Sequence, residues 1–131
     1  MIEISKKQME RAEETLRFIP DYINIGDYNG AVNRAYYAAF HSLKSLEALD
    51  NYDSKKHSGL INYFRQNYIK SEIFDETFSD ILQQLSQSRN NSDYSIIIEI
   101  SKTDAQIRYE QAKQFVETIK RYVSALWQKS E

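Results

Sequence analysis

The sequence has 131 residues, 41% hydrophobic and 27% charged, with no cysteine and a formal charge of -2 from 17 basic and 19 acidic side chains. That length fits a single domain over residues 1–131, large enough to fold on its own core. The missing cysteines exclude a disulfide framework, a thiol nucleophile and Cys-ligated zinc, and the charge balance excludes the broad basic field of a duplex-binding protein.

Three glycines and one proline are few for this length and point to long helices with few breaks. The first helix is expected to open near Ser5. Met9, Ala12, Leu16 and Ile19 recur at helical spacing, and Pro20 is expected to end or kink it. Gly26 and Gly30 mark a turn, with Asp27 a fitting N-cap for the next helix. That second helix, residues 28–49, is apolar almost all round and reads as the buried centre of a bundle. Ala31, Ala35, Ala38 and Ala39 would let its neighbours approach closely. A third helix is expected over residues 55–70 and a fourth from Asp75 to about Ser92. The β-branched run from Ser95 to Ser101 reads as a structured loop. The last helix opens at Ser101 or Thr103, where Thr103 with Gln106 fits a capping box. The fold expected is all-α, a five-helix antiparallel up-and-down bundle. No apolar run approaches the ~18 residues of a membrane span. MIEISKKQME also lacks a signal-peptide core, so a cytoplasmic protein is expected.

Chemistry-bearing residues are sparse. The two histidines, His41 and His57, form no helical metal-binding pair, and there is neither a Gly-rich phosphate loop nor a Gly-x-Ser-x-Gly elbow. No metal and no cofactor are expected. Arg34, Tyr37 and His41 share one stripe of the second helix. They could form a groove where Arg34 binds phosphate and His41 moves a proton, or they could be satisfied inside the bundle. Arg89, Asn90, Asp93 and Tyr94 form a second group. There Arg89 could present a fork to a phosphate, oriented by Asp93 at i+4, or simply pair with its own helix. Lys55, Lys56 and His57 open a helix whose backbone donors could help hold an anion, though a solvated helix start is the simpler reading.

The strings NRAYYAAFHSLKSL, KKHSGLINYF, QNYIKSEIF and SRNNSDYS, with A-x-x-F-V in the last helix, resemble the HEPN family over roughly residues 5–126. They are most similar to its small stand-alone prokaryotic branch. The resemblance implies a helical bundle that often dimerises and an association with nucleotide or RNA binding. Many members are metal-independent RNases, acting as toxins or as partners of a small nucleotidyltransferase in a two-gene module. Nuclease members carry an Arg, often followed by a polar residue, then a His with four to six residues between Arg and His. Arg89-Asn90 matches the first half, but residues 90–96 contain no His; Tyr94 stands where the nearest would fall, and Asp93-Tyr94 agrees with the Asp-Tyr this branch tends to show there. An ionised Asp and an ordinary Tyr are poorer proton carriers near pH 7 than His.

The function expected is a nucleotide- or RNA-binding module of a toxin–antitoxin-like pair. Its groove would be lined by Arg34, Tyr37, His41, Arg89, Asn90, Asp93 and Tyr94, with Lys56 and His57 as further ligand contacts. A metal-independent endoribonuclease using Arg89, Asp93 and His41 is the alternative, and a helical adaptor without ligand a third. A homodimer joined near Arg89 to Ile100 is also expected, because the ten tyrosines suggest more sticky surface than one bundle covers.

Overall fold

The computed structural model describes residues 2–93 and 99–130. Among them lie five α-helices and no strand: α1 (Ile2–Asn24), α2 (Tyr28–Leu49), α3 (His57–Phe64), α4 (Glu76–Asp93) and α5 (Lys102–Lys129). A π-helical turn, Arg65–Ile69, prolongs α3.

Helix α2 is the hub, packed on α1, α3, α4 and α5. Ala31, Ala35, Ala38 and Ala39 are all fully buried, which brings the neighbouring backbones close to it. Helices α1 and α2 run antiparallel. The start of α1 meets the end of α2 through Ser5 and Ser45, each hydroxyl donating to the other residue's carbonyl at 2.8 and 2.7 Å. The end of α5 closes the same corner, where the Trp127 indole N–H donates to the Ser5 hydroxyl at 3.0 Å. Ser5 therefore does not open α1. It lies inside the helix and satisfies its polar group across the bundle.

Pro20 does not end α1, which runs on through it to Asn24. A proline there forfeits one helical hydrogen bond, but Ile19 and Ile23 on either side are buried in the core. The helix stops instead at Gly26, whose φ of 81° is the left-handed conformation glycine tolerates. Its N–H bonds the Ile23 carbonyl at 3.0 Å and that of Asp27 bonds the Tyr22 carbonyl at 2.9 Å. Asp27 then caps α2, its carboxylate accepting from the Gly30 N–H at 2.9 Å. A Cβ on Gly30 would collide with that carboxylate and come within 2.8 Å of the Tyr22 ring.

Helix α5 opens at Ser101, not Thr103. The Ser101 hydroxyl accepts from the Asp104 N–H at 3.1 Å and the Asp104 carboxylate accepts from the Ser101 N–H at 3.3 Å. The expected loop over 95–101 falls largely outside the described residues.

Many of the tyrosines are spent inside the chain. Tyr52 stacks on Tyr63 at 4.8 Å between centroids, and Tyr63, Phe64, Tyr68, Phe74, Phe78, Phe115 and Tyr122 continue an aromatic chain through one end of the core. The composition that suggested a sticky surface is thus used in part within the chain, where Tyr36 and Tyr68 are buried while Tyr52 stays exposed.

Candidate functional site

Two turns of α2 place Tyr36, Tyr37 and Phe40 side by side, and α3 begins beside them. The His57 ring lies 4.4 Å from Phe40 between centroids, stacks on Tyr36 at 5.8 Å and meets Tyr37 edge-on at 5.8 Å. Its Nδ1 is 3.0 Å from the Tyr36 hydroxyl. From the last turns of α4, the Arg89 guanidinium lies 5.2 Å from the Tyr36 ring and 5.5 Å from the Tyr37 ring. Cation–π attraction holds the fork there. Arg89 is half-buried, and its Nε is buried with no hydrogen-bond partner among the described residues.

The electrostatics follow from this packing. Burial, then the Arg89 charge and that of Lys44, push the His57 pKa below its ordinary value. Burial raises the Tyr36 pKa against the opposing pull of Arg89, so the phenol keeps its proton. A neutral His57 can serve in two senses. With Nδ1–H donating to the Tyr36 oxygen, Nε2 presents a lone pair; with the phenol donating to Nδ1, Nε2 presents a proton.

The residues expected from sequence do not form one groove. Arg34, Tyr37 and His41 do share an open hollow of about 430 Å³ on the α1–α2 seam, together with Arg11 and Glu14. Arg34 is exposed and lies over the Tyr22 ring at 5.8 Å. His41 Nδ1 is 3.0 Å from Oε1 of Gln8, which ties the ring to α1 rather than to Arg89. Tyr37 alone belongs to both groups. Asn90 and Asp93 are exposed on α4, and neither makes a side-chain hydrogen bond or ion pair with Arg89 among the described residues. The expected Arg89–Asp93 pair is not formed, because Arg89 turns instead onto the α2 tyrosines. Tyr94 lies outside the described residues. Lys56 is exposed at the start of α3 and gives no side-chain cap. His57 is half-buried among aromatic rings rather than at a solvated helix start.

Sequence reading missed Tyr36 and Phe40. Tyr36 and Phe40 stand at i and i+4 on α2, the spacing that makes one helical face, and that was the available signal. No three His, Asp or Glu side chains among the described residues gather to hold a metal ion. No helix there is long and apolar enough to cross a membrane.

His41 carries a stability consequence. Burial first, then Arg11 and Lys44, push its pKa down to about 4. The unfolded ring takes up a proton near pH 6.5 while the folded ring resists until about 4. Its stabilisation is therefore complete above about pH 6.5 and is lost as pH falls toward 4. Urea midpoints measured from pH 7.5 to 4.5 should fall, and less steeply in His41→Gln. Equal slopes would contradict the shift.

Comparison with known proteins places the fold and the family. A Thermus thermophilus protein, TT1696, whose crystal structure is known, superposes with a TM-score of 0.78, covering 92% of this chain and 98% of that one at 17% identity. Two proteins of Methanocaldococcus jannaschii are similar in sequence. "Putative toxin MJ0142" is 30% identical over 118 residues, 90% of this chain and 80% of that protein. "Putative toxin MJ0605" is 34% identical over 113 residues, 86% and 84% respectively. The HEPN domain model matches residues 5–122, almost the whole helical bundle that carries Tyr36, His57 and Arg89. The chain belongs to the HEPN domain family.

Proposed function

We propose that this HEPN chain binds a phosphate-bearing ligand, RNA or a nucleotide, at the surface formed by Arg89, Tyr36, Tyr37 and His57. The observation that carries the reading is Arg89. Its fork is held over two tyrosine rings beside a histidine kept neutral, and its buried Nε has no partner among the described residues. An unsatisfied buried donor is costly, and a planar guanidinium suits phosphate oxygens. The two archaeal relatives are named "Putative toxin", which supports a toxin–antitoxin-like setting; a small nucleotidyltransferase as its partner is part of the proposal. Self-association as a homodimer belongs to the same reading, and light scattering at micromolar concentration checks it.

Arg89→Ala is expected to weaken binding of a short single-stranded RNA or a nucleotide by about 1–3 kcal/mol, the range of a charged hydrogen bond. Fluorescence anisotropy measures it, with a urea titration showing the fold little changed. Equal affinity in a folded Arg89→Ala chain would make Arg89 structural.

A second reading, a metal-independent endoribonuclease, is favoured by one observation. The Tyr36–His57 hydrogen bond stands next to Arg89, so a proton carrier and a cation share one site. His57, not His41 or Asp93, is then the group that moves the proton.

A further inference from the structure

The least exposed charged side chain of α2 plays no part in the site described above. Glu47 is 1% exposed, and its carboxylate is met by donors from two directions. Lys44 Nζ donates to Oε1 at 3.1 Å, the Ser54 N–H donates to Oε2 at 3.1 Å, and the Ser54 hydroxyl also donates to Oε2. Lys44 donates in turn to the Ser54 carbonyl at 2.9 Å and to Asp53 at 3.0 Å. Both backbone polar groups of Ser54 are thus held by side chains of α2. Three residues further on is His57.

Helix α3 is otherwise fixed at its start by the His57 ring on the α2 aromatics and by the buried Leu60. Its N-cap, Lys56, makes no side-chain capping bond. Its far end is also tied to α2, where Asp50 accepts from the hydroxyls of Tyr63 and, at 2.6 Å, Tyr68. Two carboxylates near the end of α2 therefore hold α3 at both ends, and the Glu47 grip is the one next to His57. A buried ion pair is weak evidence of stabilisation on its own. What singles this one out is where its partners lie: apart from Lys44, every donor to Glu47 belongs to the loop that delivers His57.

We propose that Glu47, with Lys44, is a positioning residue for the Arg89 site: it grips Ser54 and so seats the His57 ring against Tyr36 and Phe40. The proposal rests on the reading of that site as ligand-binding, but its primary test does not. NMR of the histidine ring signals reports the seat of His57 with no ligand present, in the full chain and in Glu47→Gln and Ser54→Ala. Affinity for a short single-stranded RNA is measured in parallel. In Glu47→Gln the His57 signals should move toward those of an exposed histidine and its pKa should rise toward about 6.5, with RNA affinity falling severalfold. Ser54→Ala, which removes one donor only, should give a smaller shift in the same direction. Unchanged His57 signals in a folded Glu47→Gln chain overturn the proposal. Where Glu47→Gln does not fold, Ser54→Ala decides in the same way: a shift supports the grip and no shift overturns it. If the His57 signals move but the wild-type chain binds no RNA or nucleotide, the grip stands and the ligand-binding reading fails.

Discussion

In the presence of EDTA, His57→Ala is expected to slow RNA cleavage about 100- to 10,000-fold, the range associated with a lost general acid or base. RNA affinity should fall no more than severalfold, because Arg89 remains over Tyr37. The expectation belongs to the endoribonuclease reading and follows from geometry, since His57 is the histidine that shares a site with Arg89 and hydrogen-bonds Tyr36. Tyr36→Phe should have a milder effect, because it keeps the stacked ring and removes only the hydroxyl that orients Nδ1. His41→Ala should leave cleavage largely intact, since that ring is tied to Gln8 on the α1 seam. Cleavage lost in His41→Ala and retained in His57→Ala would reverse the assignment. No cleavage by the wild-type chain would leave binding as the function of the site.

The fold offers an effect of similar size. Phe115 on α5 is fully buried, with its ring 5.6 Å from Phe64 and 6.2 Å from Phe78. It joins α5 to α3 and α4 in the aromatic chain. Phe115→Ala should cost about 3–5 kcal/mol, combining lost transfer energy with a cavity that rigid rings close poorly. Against the ~5–15 kcal/mol that holds an ordinary domain together, that is a large share. A urea titration should show a much lower midpoint with an unchanged slope. Ile107, also on α5 but 44% exposed, should tolerate Ala within about 0.5 kcal/mol. A small loss at Phe115 would mean the aromatic chain repacks easily.

The helices were legible because long apolar stripes and scarce glycine dominate the pattern. The central role of α2 could be read from its alanines, and they are fully buried. Boundaries were read less well, for identifiable reasons. Pro20 reads as a stop or a kink, yet the helix continues, because burial of Ile19 and Ile23 outweighs one missing hydrogen bond. Ser5 reads as a helix start, yet its partners, Ser45 and Trp127, lie 40 and 122 residues away, a separation no local pattern encodes. The candidate site was half legible. Arg89 was singled out by type and by resemblance, and Tyr37 by its place on α2. Their meeting with His57 depends on a loop geometry set by Glu47 and Ser54, which spacing along the chain does not reveal. Tyr36 was passed over because a tyrosine on an apolar helix reads as core, and it is in fact both buried and bonded to His57.

The central claim is that the Arg89–His57 cluster receives a phosphate-bearing ligand, and NMR titration of the wild-type chain tests it most directly. A short single-stranded RNA is added in EDTA while the Arg89 Nε and His57 ring signals are followed. The account predicts that both move together and saturate at one affinity. Saturable binding that leaves both signals in place would contradict it, and so would the absence of any binding.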